Sequence, residues 1–295
     1  RFHTVLPADH ETLPWTGIFL GGLWIAALSY FGCNQYIIQR ALAAKSISEA
    51  QKGLLFAAFL KIVIPIIVVL PGVIAFVLFK ESALVDRPDQ AYPVLVRELV
   101  PVGLVGVIIA ALTAAIVSSL NSMTNSAATI FTMDIYRRFL RKEAGERELV
   151  RVGRASTVVF LIVAGSLAPA LANFSEVFQF IQEYTGFVSP GVLALFLFGI
   201  FTRRVTAGSA FAAVLLTIPF SVGMKLGFPE MAFLNRMAFT FIALCLVMAL
   251  WPRRSRAAGD AAVDWDKRLF HTTTAFNVGS LGVVLILGAL YAWFW

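Results

Sequence analysis

A polar but uncharged segment runs through one of the long apolar stretches of this 295-residue chain. Between Thr113 and Thr132 the sequence has ten Ser, Thr or Asn residues and no charged residue. Small and hydroxyl-bearing residues recur there with the i, i+3, i+4 spacing that places side chains on one face of a helix. They are Ala115, Ser118, Ser119, Ser122, Ser126 and Thr129. This polar stripe therefore offers a row of neutral oxygen donors.

Two interpretations of the polar stripe are open. Small residues let membrane helices approach closely, and their hydroxyls can donate hydrogen bonds across the interface between two helices. Alternatively, sodium is a hard cation that prefers oxygen ligands. The hydroxyls of Ser118 and Ser119, with a carbonyl one turn earlier, offer three oxygens from one helix. Other helices would supply the rest of a set of about five or six.

Lys61 is a charged residue inside an apolar stretch. It lies about eight residues into the second predicted span, roughly 12 Å from the inner end at a rise of about 1.5 Å per residue. Its side chain could cover only part of that distance by snorkelling. Because a charge at that depth costs several kcal/mol without a partner, we interpret Lys61 as a functional residue. A snorkelling or structural role is the alternative.

Prolines predict two broken spans. Pro65 removes the backbone donor that would pair with the carbonyl of Lys61, and Pro190 does the same for the carbonyl of Gly186. Lipid cannot satisfy such carbonyls, so broken helices must face protein or a water-filled cavity. For each proline taken singly, a kink that serves only packing is the alternative.

Polar and aromatic residues accompany these features. Gln182 and Glu183 lie in the fifth predicted span, and Tyr30 precedes Phe31 in the first. Sugar C–H faces stack on aromatic rings, and sugar hydroxyls pair with amide and ammonium groups. This set suits a polyhydroxylated ligand, although an aromatic residue or a glutamine in a membrane span is more often a packing residue.

The composition places these residues in a membrane protein. The chain is 59% hydrophobic and 14% charged, with a mean hydropathy of +0.82. Apolar runs of about 20 residues, the length that crosses a core of roughly 30 Å, recur along it. We predict an all-α polytopic membrane protein with about eight transmembrane helices, near residues 15–38, 53–79, 102–133, 151–172, 175–201, 206–226, 231–251 and 272–295.

Other functional classes are disfavoured. The net charge of +7 does not indicate a nucleic-acid partner, because the basic residues lie in predicted loops. Cys33 and Cys245 lie in separate apolar runs, so no disulfide framework or cysteine metal site is predicted. Glu183 has no second carboxylate or histidine nearby in sequence, so we do not expect an enzyme. No cleavable signal sequence is evident, and the start without methionine suggests that the chain begins partway through a larger protein.

The distribution of lysine and arginine predicts the orientation in the membrane. Of 24 such residues, 17 fall in loops on one side and six on the side of the termini. Because cytoplasmic loops carry the excess of lysine and arginine, both termini are predicted to be extracytoplasmic.

Four stretches of the sequence resemble the solute–sodium symporter family. They are FGCNQYIIQRALAAKSISEAQKG, FAAFLKIVIP, AAIVSSLNSMTNSAATIFTMDIY and FQFIQEYTGFVSPG. The resemblance runs collinearly from about Leu6 to Trp295, with a shorter outer loop near 80–92. It implies a five-plus-five inverted repeat, a LeuT-like transporter core with peripheral helices, and a substrate at the midplane of the membrane.

The resemblance also implies a division of the chain. Residues 1–14 would be an extracellular loop, 15–201 the second inverted repeat, and 202–295 three peripheral C-terminal helices. The N-terminal half of the same transporter, with the first repeat, is then a missing partner of this chain.

By the same resemblance, sodium is coordinated by the carbonyl of Ala115 and the hydroxyls of Ser118 and Ser119. The remaining sodium ligands would come from the first core helix of the family, which this chain does not contain.

The resemblance gives further residues roles in sugar binding and gating. The implied sugar contacts are Tyr30, Lys61 and Gln182. Tyr30 would stack on the sugar as an inner gate beside Phe31, and Phe178 matches an outer hydrophobic gate.

Two positions depart from the pattern of the family's sugar transporters. Ala27 replaces an asparagine that contacts both the sugar and the gate tyrosine, and Phe31 replaces a tryptophan. The alanine removes a hydrogen-bonding group worth about 1–3 kcal/mol if its partner stays buried. This weakens the case for galactose itself more than the case for a hexose or a similar polyol.

The sequence thus predicts the C-terminal portion of a sodium-coupled symporter for a sugar such as a hexose, in a bacterial cytoplasmic membrane. Its expected partners are sodium, the sugar and the lipid bilayer, with no organic cofactor and no nucleic acid. One alternative is a symporter for another solute, such as myo-inositol, an amino acid or a vitamin. The other is a non-transporting sensor or truncated module, which the missing first repeat favours.

Overall fold

The computed structural model describes residues 5–79, 88–171, 174, 177–202, 205–252 and 270–294. The helices in chain order are α1 (Trp15–Phe19), α2 (Gly22–Leu28), α3 (Gln35–Leu42), α4 (Ile47–Leu78), α5 (Ala91–Leu99), α6 (Val102–Ile130), α7 (Glu146–Leu171), α8 (Val177–Thr185), α9 (Ser189–Phe201), α10 (Ala207–Gly227), α11 (Phe233–Leu250) and α12 (Thr274–Trp293). Ser29–Cys33 and Phe131–Leu140 are π-helical, and Pro88–Gln90 forms a 3₁₀ turn.

Eight segments in the described ranges are long and apolar enough to cross a membrane, which confirms the predicted number. They are Trp15–Cys33, Ile47–Leu78, Val102–Leu140, Glu146–Leu171, Val177–Phe201, Ala207–Gly227, Phe233–Leu250 and Thr274–Trp293. Lipid offers no hydrogen-bond partners, so a single chain segment crosses it as a helix that satisfies its own backbone. The chain is an all-α polytopic membrane protein.

The first span is interrupted, which the sequence did not predict. Helix α1 ends before Leu20, and α2 begins at Gly22 and runs into the π-helical turn Ser29–Cys33. Gly17 and Gly22 of this span lie against α11. A Cβ on Gly17 would lie 2.8 Å from Cβ of Leu234, and one on Gly22 would lie 2.6 Å from the carbonyl oxygen of Leu234. Only glycine allows this close approach.

The predicted break at Pro65 in the second span is wrong, since α4 continues as one helix of 32 residues through Pro65 and Pro71. A proline removes one backbone donor and bends a helix, but the residues on either side can keep helical dihedral angles. Membrane helices tolerate this, because local adjustments and neighbouring groups satisfy the carbonyl that is set free.

The predicted break in the fifth span is confirmed. Helix α8 ends at Thr185, and α9 begins at Ser189 with Pro190 in its first turn. Between them, the amide of Gly186 donates to the carbonyl of Gln182 at 2.9 Å, and the hydroxyl of Ser189 donates to the carbonyl of Thr185 at 2.9 Å. The residues 186–188 are called the fifth-span break below.

The chain forms two compact units, Arg1–Ile62 with Ile181–Trp295, and Val63–Phe180. In the first unit, α11 packs against α2, α9 and α10. Its buried apolar residues form two clusters, namely Ile25, Leu193, Leu234 and Met237, and Ala194, Ala213, Leu244 and Met248. In the second unit α6 packs against α7, and the rings of Phe131 and Phe160 meet edge to face at 6.3 Å.

The division into a repeat at 15–201 and peripheral helices at 202–295 stays a prediction. So does the orientation of the termini, because many of the basic residues that set it, including those at 203–204 and 253–268, lie outside the described residues.

Candidate functional site

Three of the predicted residues form an aromatic–lysine cluster in the first unit. The ring of Tyr30 meets the ring of Phe31 edge to face, with centroids 5.0 Å apart. The ammonium nitrogen of Lys61 on α4 lies 4.1 Å from the centroid of the Phe31 ring. The π-helical turn Ser29–Cys33 carries Tyr30 and Phe31 toward Lys61. The structure thus brings together residues about 30 positions apart that the sequence assigned to one ligand.

The contact between Lys61 and Phe31 is a cation–π interaction. The negative face of an aromatic ring attracts an ammonium group, and the attraction grows when water is excluded. Within the described part of the chain, Lys61 makes neither a hydrogen bond nor an ion pair through its side chain. Its three N–H donors are therefore available to a ligand with hydroxyl oxygens.

Tyr36 completes this cluster and was missed by the sequence analysis. Its hydroxyl is hydrogen-bonded to the hydroxyl of Tyr30, and the two rings meet edge to face at 5.9 Å. Burial and the hydrogen bond to Tyr30 raise the pKa of Tyr36 above its ordinary value. The helix break at Asn34, which lets α3 turn Tyr36 back toward Tyr30, left no clear signal in the sequence.

Several hydroxyls on α6 donate to carbonyls of their own helix, namely those of Ser122 and Thr129 in the polar stripe and that of Thr113 before it. The hydroxyl of Thr113 donates to the carbonyl of Ile109 at 2.8 Å, and the hydroxyl of Thr129 donates to the carbonyl of Asn125 at 2.8 Å. The hydroxyl of Ser122 also donates to a carbonyl four residues earlier, that of Ser118, at 3.1 Å. Such bonds are the usual fate of a helical Ser or Thr, so these residues need no ligand to explain them.

The two serines predicted to bind sodium differ from the rest of the polar stripe. The side-chain hydroxyls of Ser118 and Ser119 have no hydrogen-bond partner among the described residues. Both residues, like Ala115, are exposed on α6. Uncommitted hydroxyls on an exposed face are what a cation site requires, because each can turn a lone pair toward an ion.

A carboxylate or histidine metal centre is not an alternative in the described ranges. No group of three or more His, Cys, Asp or Glu residues there lies close enough to hold a metal ion. Hydroxyl and carbonyl oxygens, such as those of Ser118, Ser119 and Ala115 that the sequence analysis predicts as ligands, suit a hard cation.

Gln182 and Glu183 have different environments on α8. Gln182 is exposed, and its side chain makes no hydrogen bond to a described residue. No hydrogen bond or ring contact links it to the aromatic–lysine cluster in the part of the chain that the structure describes. Phe178, the predicted outer gate, is 73% exposed near the start of α8. Their roles toward sugar remain predictions.

Glu183 takes part in an ion-pair cluster that the sequence analysis also missed. Its carboxylate lies 2.8 Å from the guanidinium of Arg236 on α11 and 3.2 Å from the ammonium of Lys225 on α10. Arg236 and Lys225 are two of the six basic residues that the sequence analysis counts on the side of the termini. A signal was available, since two cations near the ends of neighbouring spans suit an intramembrane carboxylate.

Comparison with known proteins supports the resemblance. The family model of the sodium:solute symporter family matches residues 1–217. A sodium/glucose cotransporter of Vibrio parahaemolyticus is 44% identical over 97% of this chain and 56% of its own length. A sodium/mannose cotransporter of Bos taurus is 41% identical over 68% of this chain and 36% of its own length. Sodium/myo-inositol cotransporter 2 of Sus scrofa is 38% identical over 73% of this chain and 34% of its own length. The chain thus spans about half the length of the bacterial relative, and about a third of these two mammalian ones.

Proposed function

Because the chain belongs to the sodium:solute symporter family, we propose that it forms part of a transporter that moves a sugar together with sodium across a bacterial cytoplasmic membrane. The observation that carries the proposal is the pair of uncommitted hydroxyls at Ser118 and Ser119, on a helix whose other hydroxyls largely bond their own backbone. Sodium is the co-transported ion, bound by these hydroxyls and the carbonyl of Ala115.

The aromatic–lysine cluster supports the sugar as the second substrate. Tyr30 and Phe31 offer ring faces to the C–H groups of a sugar, and Lys61 offers N–H donors to its hydroxyls. Gln182 is proposed to contact the sugar through its amide. Phe178 is proposed to close the sugar site on its outer side. Relatives named for glucose, mannose and myo-inositol agree with a ring that carries several hydroxyl groups. A cyclic polyol such as myo-inositol is therefore the second candidate substrate.

Coupling follows from differential binding. Sodium at Ser118 and Ser119 stabilises the outward-open arrangement, in which the sugar site is formed, so each ligand raises the affinity for the other. Release of sodium into the cytoplasm weakens the sugar site and lets the Tyr30 gate open. One charge that crosses a potential of about 100 mV contributes about 2.3 kcal/mol to the inward step.

Two structural assignments belong to the same proposal. Residues 15–201 form the second inverted repeat, followed by peripheral helices at 202–295, and both termini of this chain are extracytoplasmic. The chain spans 56% of the length of the Vibrio relative. The remaining ligands of the ion are proposed to come from the first core helix of the family.

The test is a transport assay on the intact protein that contains this chain, purified and reconstituted in liposomes. We expect uptake of labelled glucose or another hexose under an inward sodium gradient. Uptake should fall at least about tenfold when potassium or choline replaces sodium, since the sugar site depends on bound sodium. Labelled galactose, mannose, myo-inositol and proline, tested in parallel, rank the substrates. Equal uptake with and without sodium, or uptake of proline alone, would contradict the proposal.

A further inference from the structure

Glu183 ties the end of α8 to two later helices. One oxygen of its carboxylate accepts a hydrogen bond from Nη2 of Arg236 at 2.8 Å and lies 3.2 Å from Nζ of Lys225. The side chain of Arg236 is only 11% exposed, and that of Glu183 is 22% exposed. A pair that is so largely buried is screened less by water and salt than a surface pair.

Arg236 joins three segments through one guanidinium group. While Nη2 binds Glu183, Nη1 donates to the carbonyls of Phe228 and Pro229, at 3.4 and 3.1 Å. These carbonyls belong to the connection between α10 and α11. A rigid, planar group with this many donors fixes the relative positions of the acceptors that it binds.

The fifth-span break and the end of α8 make further contacts with α10 and α11. The hydroxyl of Ser221 on α10 donates to the carbonyl of Phe187 at 3.0 Å. A Cβ on Gly186 would lie 2.8 Å from the sulfur of Met237, so α11 packs directly against the break. Lys225 also lies 4.9 Å from the centroid of the Tyr184 ring. Helices α10 and α11 thus restrain the break at several points.

We propose that Glu183 is a positioning residue, which fixes the end of α8 so that Gln182 presents its amide to the sugar. This inference rests on the proposed function. Neighbouring residues on a helix point about 100° apart, so the anchoring of Glu183 against α11 sets the direction of Gln182 without contact between them. Consistent with this, Gln182 is exposed whereas Glu183 is held inward by its two cations.

The kinetic test uses Glu183→Gln in the intact protein, which keeps the shape of the side chain and removes its charge. We expect the KM for sugar to rise about tenfold, with the sodium concentration for half-maximal uptake within about twofold of the parent. The double variant Glu183→Gln/Arg236→Gln also lacks the anchor between α8 and α11, so its KM should stay raised; a KM that returned to the parent value would assign the effect to the unpaired guanidinium and refute the positioning role. Glu49→Gln is the matched control, because its pair with Lys52 is largely exposed. An unchanged KM in Glu183→Gln would refute the positioning role.

A second measurement does not depend on transport. A spin label is attached to Gln182→Cys in a protein whose other cysteines, including Cys33 and Cys245, are replaced by alanine. We expect the label to become more mobile when Glu183→Gln is added and to stay unchanged when Glu49→Gln is added. If the label were equally mobile with Glu183→Gln and with Glu49→Gln, the positioning role would be overturned whatever the protein transports. A mobile label in a protein that carries no sugar would overturn the proposed function alone.

A small cavity with several polar groups in its lining lies between the fifth-span break, α10 and α11. Its volume is about 10 Å³, and Ser221, Arg236 and Thr240 are among its lining residues. Thr240 is 1% exposed, and its hydroxyl has no hydrogen-bond partner among the described residues. A buried hydroxyl without a partner is costly, and a cavity of this size has room for one water molecule.

We infer that this cavity binds one water molecule, which accepts or donates a hydrogen bond at Thr240 and at a second polar group of the lining. Water is the ligand that fits, because the space has room for about one water molecule and offers several polar partners. The water would satisfy the hydroxyl of Thr240 and add a further link between the break and α11.

The sign of the change in Tm caused by Thr240→Val tests whether the cavity binds water. If the hydroxyl of Thr240 were dry, Thr240→Val would stabilise the protein by removing an unsatisfied group. If it binds water, the same variant leaves that water short of a partner and lowers the Tm by about 2–4 °C. Thr132→Val is the control, since Thr132 is a buried hydroxyl with no described partner that packs near Gly153 on α7. Thermal unfolding of the purified protein in detergent gives both values. A Tm that rises in Thr240→Val would refute the bound water.

Discussion

Replacement of Lys61 by alanine is expected to abolish sugar uptake while the protein remains folded in the membrane. The ammonium group of Lys61 lies over the ring of Phe31 at 4.1 Å, and no hydrogen bond or ion pair to it occurs among the described residues. A hydrogen bond to a charged group contributes about 1.5–3 kcal/mol, and a cation–π contact about 0.5–2 kcal/mol. We expect a fall of at least about a hundredfold in kcat/KM, measured as initial uptake in reconstituted liposomes.

Two variants of the same helix give this prediction its controls. Lys52→Ala also removes a positive charge from α4, but Lys52 is paired with Glu49 at 2.8 Å and lies outside the aromatic–lysine cluster, so uptake should be close to that of the parent. Lys61→Arg keeps the charge and changes the donor geometry, and it should retain partial activity. Parent-like uptake by Lys61→Ala would assign Lys61 a structural role and remove it from the sugar site.

The features that the sequence predicted well depend on local chemistry. Eight apolar stretches of membrane length predict eight spans, because a helix is the only way for each to satisfy its backbone in lipid. The break in the fifth span combines Gly186, Pro190 and polar neighbours, so several signals agree. Pro65 was a single signal inside a strongly apolar helix, and there the helix continues.

The features that the sequence missed depend on tertiary contacts. The interruption of the first span accompanies the packing of Gly17 and Gly22 on Leu234, which is more than 200 residues away in the chain. The partner of Glu183 is Arg236, 53 residues later. Pairings over such distances are set by how helices pack, and hydropathy does not encode them.

The polar stripe on α6 shows the same limit within one helix. Spacing alone groups its members on one face and cannot tell which hydroxyls bond their own backbone. The geometry separates Ser122 and Thr129, which donate to carbonyls four residues earlier, from Ser118 and Ser119, whose hydroxyls are uncommitted. Bonds to the backbone of α6 itself account for the first pair without a ligand, and the cation-site interpretation rests on the second pair.

The second large effect is expected in the sodium dependence of Ser119→Ala. If the hydroxyl of Ser119 binds the ion, its loss removes one of about five or six oxygens from the site. At about 1.5–3 kcal/mol for a polar contact to a charge, the sodium concentration for half-maximal uptake should rise at least about tenfold. The maximal rate at saturating sodium should change much less, since the other ligands remain. Initial sugar uptake against sodium concentration measures both quantities.

Thr113→Val separates the cation site from a general effect of lost hydroxyls on α6. The hydroxyl of Thr113 lies on the same helix and already donates to the carbonyl of Ile109, and valine has nearly the same shape. Its removal should leave the sodium dependence unchanged, because the carbonyl keeps its backbone hydrogen bond. If Ser119→Ala had the same sodium dependence as Thr113→Val, the uncommitted hydroxyls would have no part in ion binding. Close packing between helices would then account for the polar stripe. If the sodium concentration for half-maximal uptake rises in Ser119→Ala and in Ser118→Ala but not in Thr113→Val, the ion lies at these two serines.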